Sequence, residues 1–476
     1  MYRTVHVLLL FMGFVFVLTP VSAAREPDGK YTTDSLPSAW SYSSEFSQTL
    51  PDEDGWWKKF NDPLLDSLIS EGVRRNFDVL TACHRMEIAR QTLNQARSLY
   101  FPTFDLNAGW TKSRSSGAMT TSTTPASVVS YFSLGVDMSW QIDLFGKITA
   151  QARDKKALWQ ASRAQYVATM VSVAGQIATD YIALRMYQAE REVAMRHLES
   201  QKKVMEITEA RHEAGLVSML DVAQARVVYY STEASIPPLE TLIRTSVNSL
   251  AVLLGCEPPE MAAMVSEPRP LPDHFHLVPA GVPAELLRRR PDIVAAEYTL
   301  ASYAARLGIA KKDFLPTLSL NGSIGTSAHK GGDLFKNNSL TYTIAPTLSW
   351  TIFDGLSRRS AVIAAREAME AEIDSYNLTV LNAVTEVDNA MASYVNALKS
   401  IEMTTKVVEE SQRSFDLSID LYKQGLTPFS NVVDAQMNLL SYSNSRVTAQ
   451  GRALSALIDL YRALGGGFQT ELDEIH

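Results

Sequence analysis

The chain has 476 residues, of which 46% are hydrophobic and 20% are charged, and its formal net charge is −8. This length can bury a large core, and the acidic balance argues against a protein that binds nucleic acid through a basic surface. The two cysteines, Cys83 and Cys256, exclude a disulfide scaffold and the usual clustered zinc site. We favour two separate thiols over a bridge between them.

The first residues have the pattern of a secretory signal peptide, which we assign to residues 1–23. Arg3 precedes an apolar run over 7–18, and Val21-Ser22-Ala23 supplies small residues for cleavage. The run is too short to span a bilayer comfortably, so an uncleaved anchor is the less favoured alternative. No later stretch approaches about 18 consecutive apolar residues, so a membrane span of the mature chain should consist of strands.

Residues 24–55 are rich in serine, proline and acidic residues, and we expect an extended segment there. A first structural repeat, residues 56–255, should open with a helix over 56–99. Pro102 should end that helix, because proline lacks the amide donor that a helix interior needs.

Apolar and polar residues then alternate over 104–111 and again over 132–143, which predicts strands with one apolar and one polar face. Such strands can cover a soluble core or form a transmembrane β-barrel, and the long polar loop between them suits the outer side of a barrel. The repeat should continue with a long helix over 146–214 and a further helix over 218–254. Pro237-Pro238 should interrupt and kink that last helix.

A proline-rich linker over 256–283 leads to a second structural repeat, residues 284–465, and a tail over 466–476. Trp140 and Trp350 are 210 residues apart, and so are the Gly-Leu pairs at 215–216 and 425–426. A fixed offset over a whole unit indicates an internal duplication. The second repeat should start with a helix from Ala284 and contain strands over 318–324 and 340–352.

The longest predicted element is a helix over 357–424, which would be roughly 100 Å long at 1.5 Å per residue. Every seventh residue from Ile373 to Phe415 is apolar, as in a helix that packs along a neighbour. These positions are Ile373, Val380, Val387, Tyr394, Ile401, Val408 and Phe415. We interpret this element as one of the helices that form the wall of a long coiled helical assembly.

Four strands are too few to close a membrane barrel, which needs at least about eight. An open sheet in lipid would leave unpaired backbone groups at its edges. Several chains should therefore pool their strands. Three chains would give twelve, although strand number alone does not separate a trimer from a tetramer.

At this point the sequence resembles the TolC-type outer-membrane efflux channels, the outer membrane factors of tripartite efflux pumps. The most specific runs are Trp-Trp-Lys-Lys-Phe-Asn-Asp-Pro at 56–63, Leu-Leu-Arg-Arg-Arg-Pro-Asp-Ile at 286–293 and Ala-Lys-Lys-Asp-Phe-Leu-Pro at 310–316. The resemblance implies an α+β fold in which a trimer forms a twelve-stranded transmembrane β-barrel, with four strands per chain. A long coiled α-helical barrel should continue it across the periplasm.

The same resemblance implies a passive gated duct that expels small molecules, such as drugs or other toxic compounds. Its implied partners are a homotrimer, a periplasmic adaptor, an inner-membrane pump of the RND type and outer-membrane lipid, with no nucleic acid and no cofactor. An exit duct for type I protein secretion is the alternative. No catalytic motif supports an enzyme, and His274 and His276 are better explained as exposed linker residues than as metal ligands. Many close relatives carry a lipid-modified cysteine directly after the signal peptide. This sequence has none there, so the barrel should suffice as its membrane anchor.

The two Gly-Leu turns are the predicted adaptor-docking sites, namely Gly215, Leu216, Gly425 and Leu426. Each turn also reads as a plain helix hairpin, since glycine suits a helix end. Ser218 with Asp221 has the spacing of a capping box, and Thr427 with Pro428 that of an N-cap and first helical residue.

The resemblance places a periplasmic gate beside the second turn. Asp434 should form a ring of three carboxylates at the constriction, and Asn431 replaces a second acid found in relatives. Tyr422 should tie the two hairpins together by a hydrogen bond to Asp221. Thr427 stands where the family has a gate arginine, which predicts a less firmly held closed state. A solvated surface aspartate is the alternative for Asp434.

Overall fold

The computed structural model describes residues 36–37, 39–42, 46, 55–114, 116, 128–272, 283 and 289–468. The predicted signal peptide, most of the extended segment, and His274 and His276 in the linker lie outside these residues. Both cysteines are free thiols.

Long helices alternate with pairs of strands in the described part of the chain. The elements are α1 (Pro63–Arg75), α2 (Phe77–Ser98), β1 (Thr103–Arg114), β2 (Val128–Ile142), α3 (Lys147–Glu213), α4 (Met219–Leu254), α5 (Pro258–Met264), α6 (Pro291–Lys312), β3 (Thr317–Ala328), β4 (Leu340–Ser349), α7 (Ser357–Lys423) and α8 (Phe429–Ala463). This order confirms the α+β class and the duplicated pattern of strands and long helices.

The predicted single helix over 56–99 is wrong, because the region divides into three pieces. A 3-10 helix spans Trp56–Phe60, and α1 and α2 are separated at Asn76. Asn76 has an extended backbone, with φ −62° and ψ 131°, and its side chain accepts hydrogen bonds from the amides of Asp78 and Val79. An asparagine that caps the next helix in this way ends the previous one.

The second half of each repeat follows the sequence prediction closely. Helices α3 and α7 each have 67 residues and start 210 residues apart. Pro237 and Pro238 do not interrupt α4, which runs on to Leu254. The predicted linker contains the short helix α5. The predicted helix start at Ala284 lies outside the described residues, and α6 spans Pro291–Lys312.

The four strands form one antiparallel sheet in the order β1-β2-β3-β4. The register places Leu106 opposite Val136, Val136 opposite Ile324, and Ile324 opposite Tyr342, so one apolar face crosses all four strands. Asp105 faces Asp137 on the other, polar face. Along β1 every residue is exposed in the single chain, as expected of an edge strand that needs a partner.

A pair of glycines allows close approach of β2 and β3 on the polar face, where Gly135 lies opposite Gly325. A Cβ on Gly325 would lie 2.5 Å from the carbonyl oxygen of Leu134 and 2.7 Å from the Cα of Gly135. Both are backbone atoms, which can move only if the strands separate.

We therefore expect Gly325→Ala to destabilise the folded protein in detergent by about 1–3 kcal/mol, the usual cost of overpacking. Thermal unfolding followed by circular dichroism measures this change. Gly109→Ala is the matched control, because the nearest atom to a Cβ there is the Ser133 hydroxyl at 3.4 Å. Equal unfolding midpoints for the two variants would contradict the prediction.

The main core lies midway along the helices, where a layer of segments covers one face of the helical wall. Trp56 stacks on Tyr461 of α8 at 5.3 Å between ring centroids, and Phe46 contacts Tyr394 of α7 at 6.4 Å. The hydroxyl of Tyr181 in α3 donates to the carboxylate of Asp62, which also caps α1. These contacts fix which face of each long helix points toward the covering layer.

The predicted seam of α7 largely coincides with its buried face. Ile373, Val380, Val387, Tyr394 and Phe415 are buried, whereas Ile401 and Val408 are half-buried. Among the described helices, α3 alone is long and apolar enough to cross a membrane, but most of its apolar stretch is buried within the chain. We interpret α3 as a core helix.

Candidate functional site

The two helix hairpins end in turns with the same backbone geometry. Gly215 and Gly425 have φ values of 71° and 76°, in the left-handed region that glycine adopts without strain. The amide of Leu216 donates to the carbonyl of Arg211 at 2.9 Å, and the amide of Leu426 donates to that of Leu421 at 2.9 Å. This is the Schellman pattern, which satisfies the last carbonyls of a helix.

Both turns present leucine to solvent. Leu216 is 68% exposed and Leu426 is 69% exposed. In the first turn Met219 and Leu220 are exposed as well, so the apolar patch there is larger. Exposed apolar side chains at a tip that no described residue covers are typical of a surface for a partner.

The local capping at both turns differs from the sequence prediction. Ser218 directly precedes α4, but its hydroxyl donates to the Asp221 carboxylate at 3.1 Å and caps no backbone amide, so no capping box forms. Pro428, rather than Thr427, is the residue that precedes α8. The Thr427 hydroxyl instead accepts a hydrogen bond of 2.7 Å from the side-chain amide of Asn431.

The predicted tie between Tyr422 and Asp221 stays a prediction, since no hydrogen bond joins the Tyr422 hydroxyl to Asp221 among the described residues. Burial and the nearby charge of Asp221 both raise the pKa of Tyr422. The link between the two hairpins is made by Arg211 of α3. Its guanidinium lies 4.9 Å from the centre of the Tyr422 ring and donates to the carbonyl of Lys423 at 3.3 Å. A cation over an aromatic face is attracted by the ring electrons.

The remaining gate residues, Asn431 and Asp434, lie one turn apart on the exposed side of α8. Val432 and Ala435, between and beside them, are buried against the neighbouring helices. The structure therefore leaves the Asp434 carboxylate open to solvent, as a ring at a constriction requires. Whether three copies converge stays a prediction.

Asp434 belongs to a longer polar stripe on α8 that the sequence analysis missed. Its members alternate three and four residues apart, so they share one side of the helix. They are Asn431, Asp434, Asn438, Ser441, Ser445, Thr448, Arg452, Ser455 and Asp459, all of them exposed or half-buried. The sequence signal of this stripe is a heptad spacing of polar residues, which an apolar heptad pattern does not reveal.

The chain is similar to known proteins along most of its length. A family model described as outer membrane efflux protein matches residues 68–256 and 282–466. The pyoverdine export outer membrane protein OpmQ of Pseudomonas aeruginosa is 28% identical over 440 residues, covering 91% of this chain and 92% of that protein. The probable efflux pump outer membrane protein TtgC of Pseudomonas putida is 27% identical over 418 residues, covering 87% and 86%.

A solved structure of the outer-membrane channel OprN has a similar fold. The TM-score is 0.86 at 30% sequence identity, and the alignment covers 93% of this chain and 99% of OprN.

Proposed function

The chain belongs to the outer membrane efflux protein family, and from this premise we propose which of its residues dock a partner and gate the duct. Members of the family are passive channels, not enzymes, and work as trimers with an adaptor and an inner-membrane pump. The protein is an outer-membrane exit channel of an efflux system, with its helical tunnel in the periplasm.

We propose that three chains pool their sheets into the twelve-stranded barrel, and that the repeats over 56–255 and 284–465 are the units of the duplicated chain. The free outer edges of β1 and β4 support this, since each of these two strands pairs with a neighbour on one side only among the described residues. An inner-membrane pump of the RND type is our proposed partner. Small molecules are the proposed cargo; the relatives, named for efflux and for pyoverdine export, do not favour protein secretion.

We propose that the turns at Gly215-Leu216 and Gly425-Leu426 receive the periplasmic adaptor. The main support is that the two turns share the same backbone geometry and expose their leucines to nearly the same extent. A helical hairpin of the adaptor could cover both leucines in equivalent grooves.

We propose that Asp434 forms the gate ring, with Asn431 one turn nearer the tip and Arg211 holding the two hairpins together through Tyr422. Three carboxylates around one axis attract cations and repel anions at a narrow passage. Thr427, bonded to Asn431, supplies no charge at this level.

Planar-bilayer recordings of the purified protein test the channel and its gate. Wild-type protein should give cation-selective channels, and Asp434→Asn should lower the cation-to-anion permeability ratio about threefold or more, because the ring charge is lost. Asp420→Asn, an exposed aspartate near the same tip that pairs with Lys423 at 3.4 Å, is the control. Unchanged selectivity in Asp434→Asn would reject the gate assignment.

A further inference from the structure

The polar stripe of α8 lies on the side of the helix away from the covering layer. Tyr461 marks that layer through its stack on Trp56. At about 100° per residue, Arg452 and Asp459 lie on roughly the opposite side of α8. Segments packed inside a tube of helices would fill its bore, so the covering layer lies outside and the stripe faces the duct. This step depends on the proposed channel function.

A groove of about 600 Å³ opens on this inner side between α3, α7 and α8. A second groove, of about 680 Å³, continues along α7 and α8, and the two share Thr448 and Arg452. Apolar residues such as Ala390 and Ala397 line part of the two grooves, and several side chains around the shared part carry hydroxyl groups. They include Ser393, Ser400, Thr404, Ser441, Ser445 and Ser455.

Among the charged residues that line the groove, Arg452 is the one that forms no ion pair with a described residue. Of its other charged residues, Glu386 pairs with Arg290 at 2.8 Å, and Asp459 approaches Arg462 at 3.7 Å. The Glu190 carboxylate accepts a hydrogen bond of 2.8 Å from the Thr448 hydroxyl. Glu190 makes no ion pair with Arg452 among the described residues. Arg452 is exposed, so its guanidinium is available to a solute.

We propose that this groove is a binding station on the duct wall for small anionic solutes that also carry hydroxyl groups. A guanidinium binds a carboxylate or sulfonate through two parallel hydrogen bonds, which lysine cannot match. The surrounding serine and threonine hydroxyls can donate to or accept from hydroxyl groups of the same solute. Three copies around the duct would give three equivalent stations.

Pyranine (8-hydroxypyrene-1,3,6-trisulfonate) is a suitable probe, because it is anionic, carries a hydroxyl and is fluorescent. Fluorescence anisotropy with the purified oligomer in detergent measures its dissociation constant. We expect Arg452→Gln to weaken binding about fivefold to tenfold, because the charge-assisted contact is lost. Arg452→Lys should weaken binding less, because the positive charge is kept and only the hydrogen-bond geometry changes. Arg196→Gln, at an exposed arginine of α3 beside Glu192, should bind as wild type does.

Equal affinity of wild type and Arg452→Gln, or no binding to wild type, would overturn the station. The bilayer recordings separate this from failure of the channel itself. Protein that conducts ions but binds pyranine without regard to Arg452 would refute the station alone, whereas protein that forms no channels would refute the proposed function.

Discussion

Replacing Leu216 and Leu426 together with aspartate should abolish efflux while leaving an assembled channel in the outer membrane. Both leucines are more than two thirds exposed, at 68% and 69%, so neither contributes to the core of the chain. An interface around a buried leucine anchor would instead have to bury an unpaired carboxylate. Truncation of such an anchor usually costs about 2–4 kcal/mol of binding free energy, and a buried charge costs more.

Two measurements check this expectation in cells that make the chain with its adaptor and pump. Resistance to a pumped compound should fall to the level of cells that lack the channel, and cross-linking of adaptor to channel should disappear. The amount of assembled channel oligomer in the outer-membrane fraction should not change.

Met264→Asp is the matched control, since Met264 is an exposed apolar residue of α5, far from the tips. The single variants Leu216→Asp and Leu426→Asp show whether the turns contribute equally. The first turn has the larger exposed patch, with Met219 and Leu220, so Leu216→Asp should have the greater effect. Full resistance in the double variant would exclude the turns as docking sites.

The long elements were predictable because their patterns are long. The apolar repeat of α7 extends over six heptads, from Ile373 to Phe415. The observed end of α7 at Lys423 lies one residue from the predicted end. Alternation over seven or more residues likewise identified the strands, since a register slip would turn every apolar side chain to the polar face.

Local breaks were less predictable, because a single side chain decides them. Asn76 ends α1 by capping α2, although the residues on both sides form helix readily. Pro237 and Pro238 show the reverse, since α4 stays helical through two exposed residues that disfavour a helix interior. Arg211 was missed as the partner of Tyr422 because the two residues are more than 200 positions apart in sequence.

The break at Asn76 also has a counterpart at Arg290, and the two joints show how the duplication is held together. Each residue directly precedes a short helix, α2 or α6. The Asn76 side-chain amide donates to the Leu253 carbonyl at 2.9 Å, and the Arg290 guanidinium donates to the Ala463 carbonyl at 2.6 Å. Those carbonyls lie in the last turns of α4 and α8, where helical partners are lacking.

Arg290 does more at its joint than Asn76 does. It pairs with Asp292 at 2.7 Å and with Glu386 of α7 at 2.8 Å, while its own side chain is 11% exposed. One residue thereby connects α6, α7 and α8. Asp292 and Glu386 are partly solvated. Removing the Arg290 cation therefore costs less folding free energy than it would if both carboxylates were fully buried.

We therefore expect Arg290→Ala to lower the free energy of unfolding by about 3 kcal/mol, between the cost of a broken buried pair and that of a surface pair. Asn76→Ala should cost about 1–2 kcal/mol, for one cap and one hydrogen bond. Arg462→Ala, which removes an exposed pair with Asp459, is the control. Thermal unfolding in detergent ranks the three variants, and a smaller loss in Arg290→Ala than in Asn76→Ala would show that Arg290 does not join the helices as the geometry indicates.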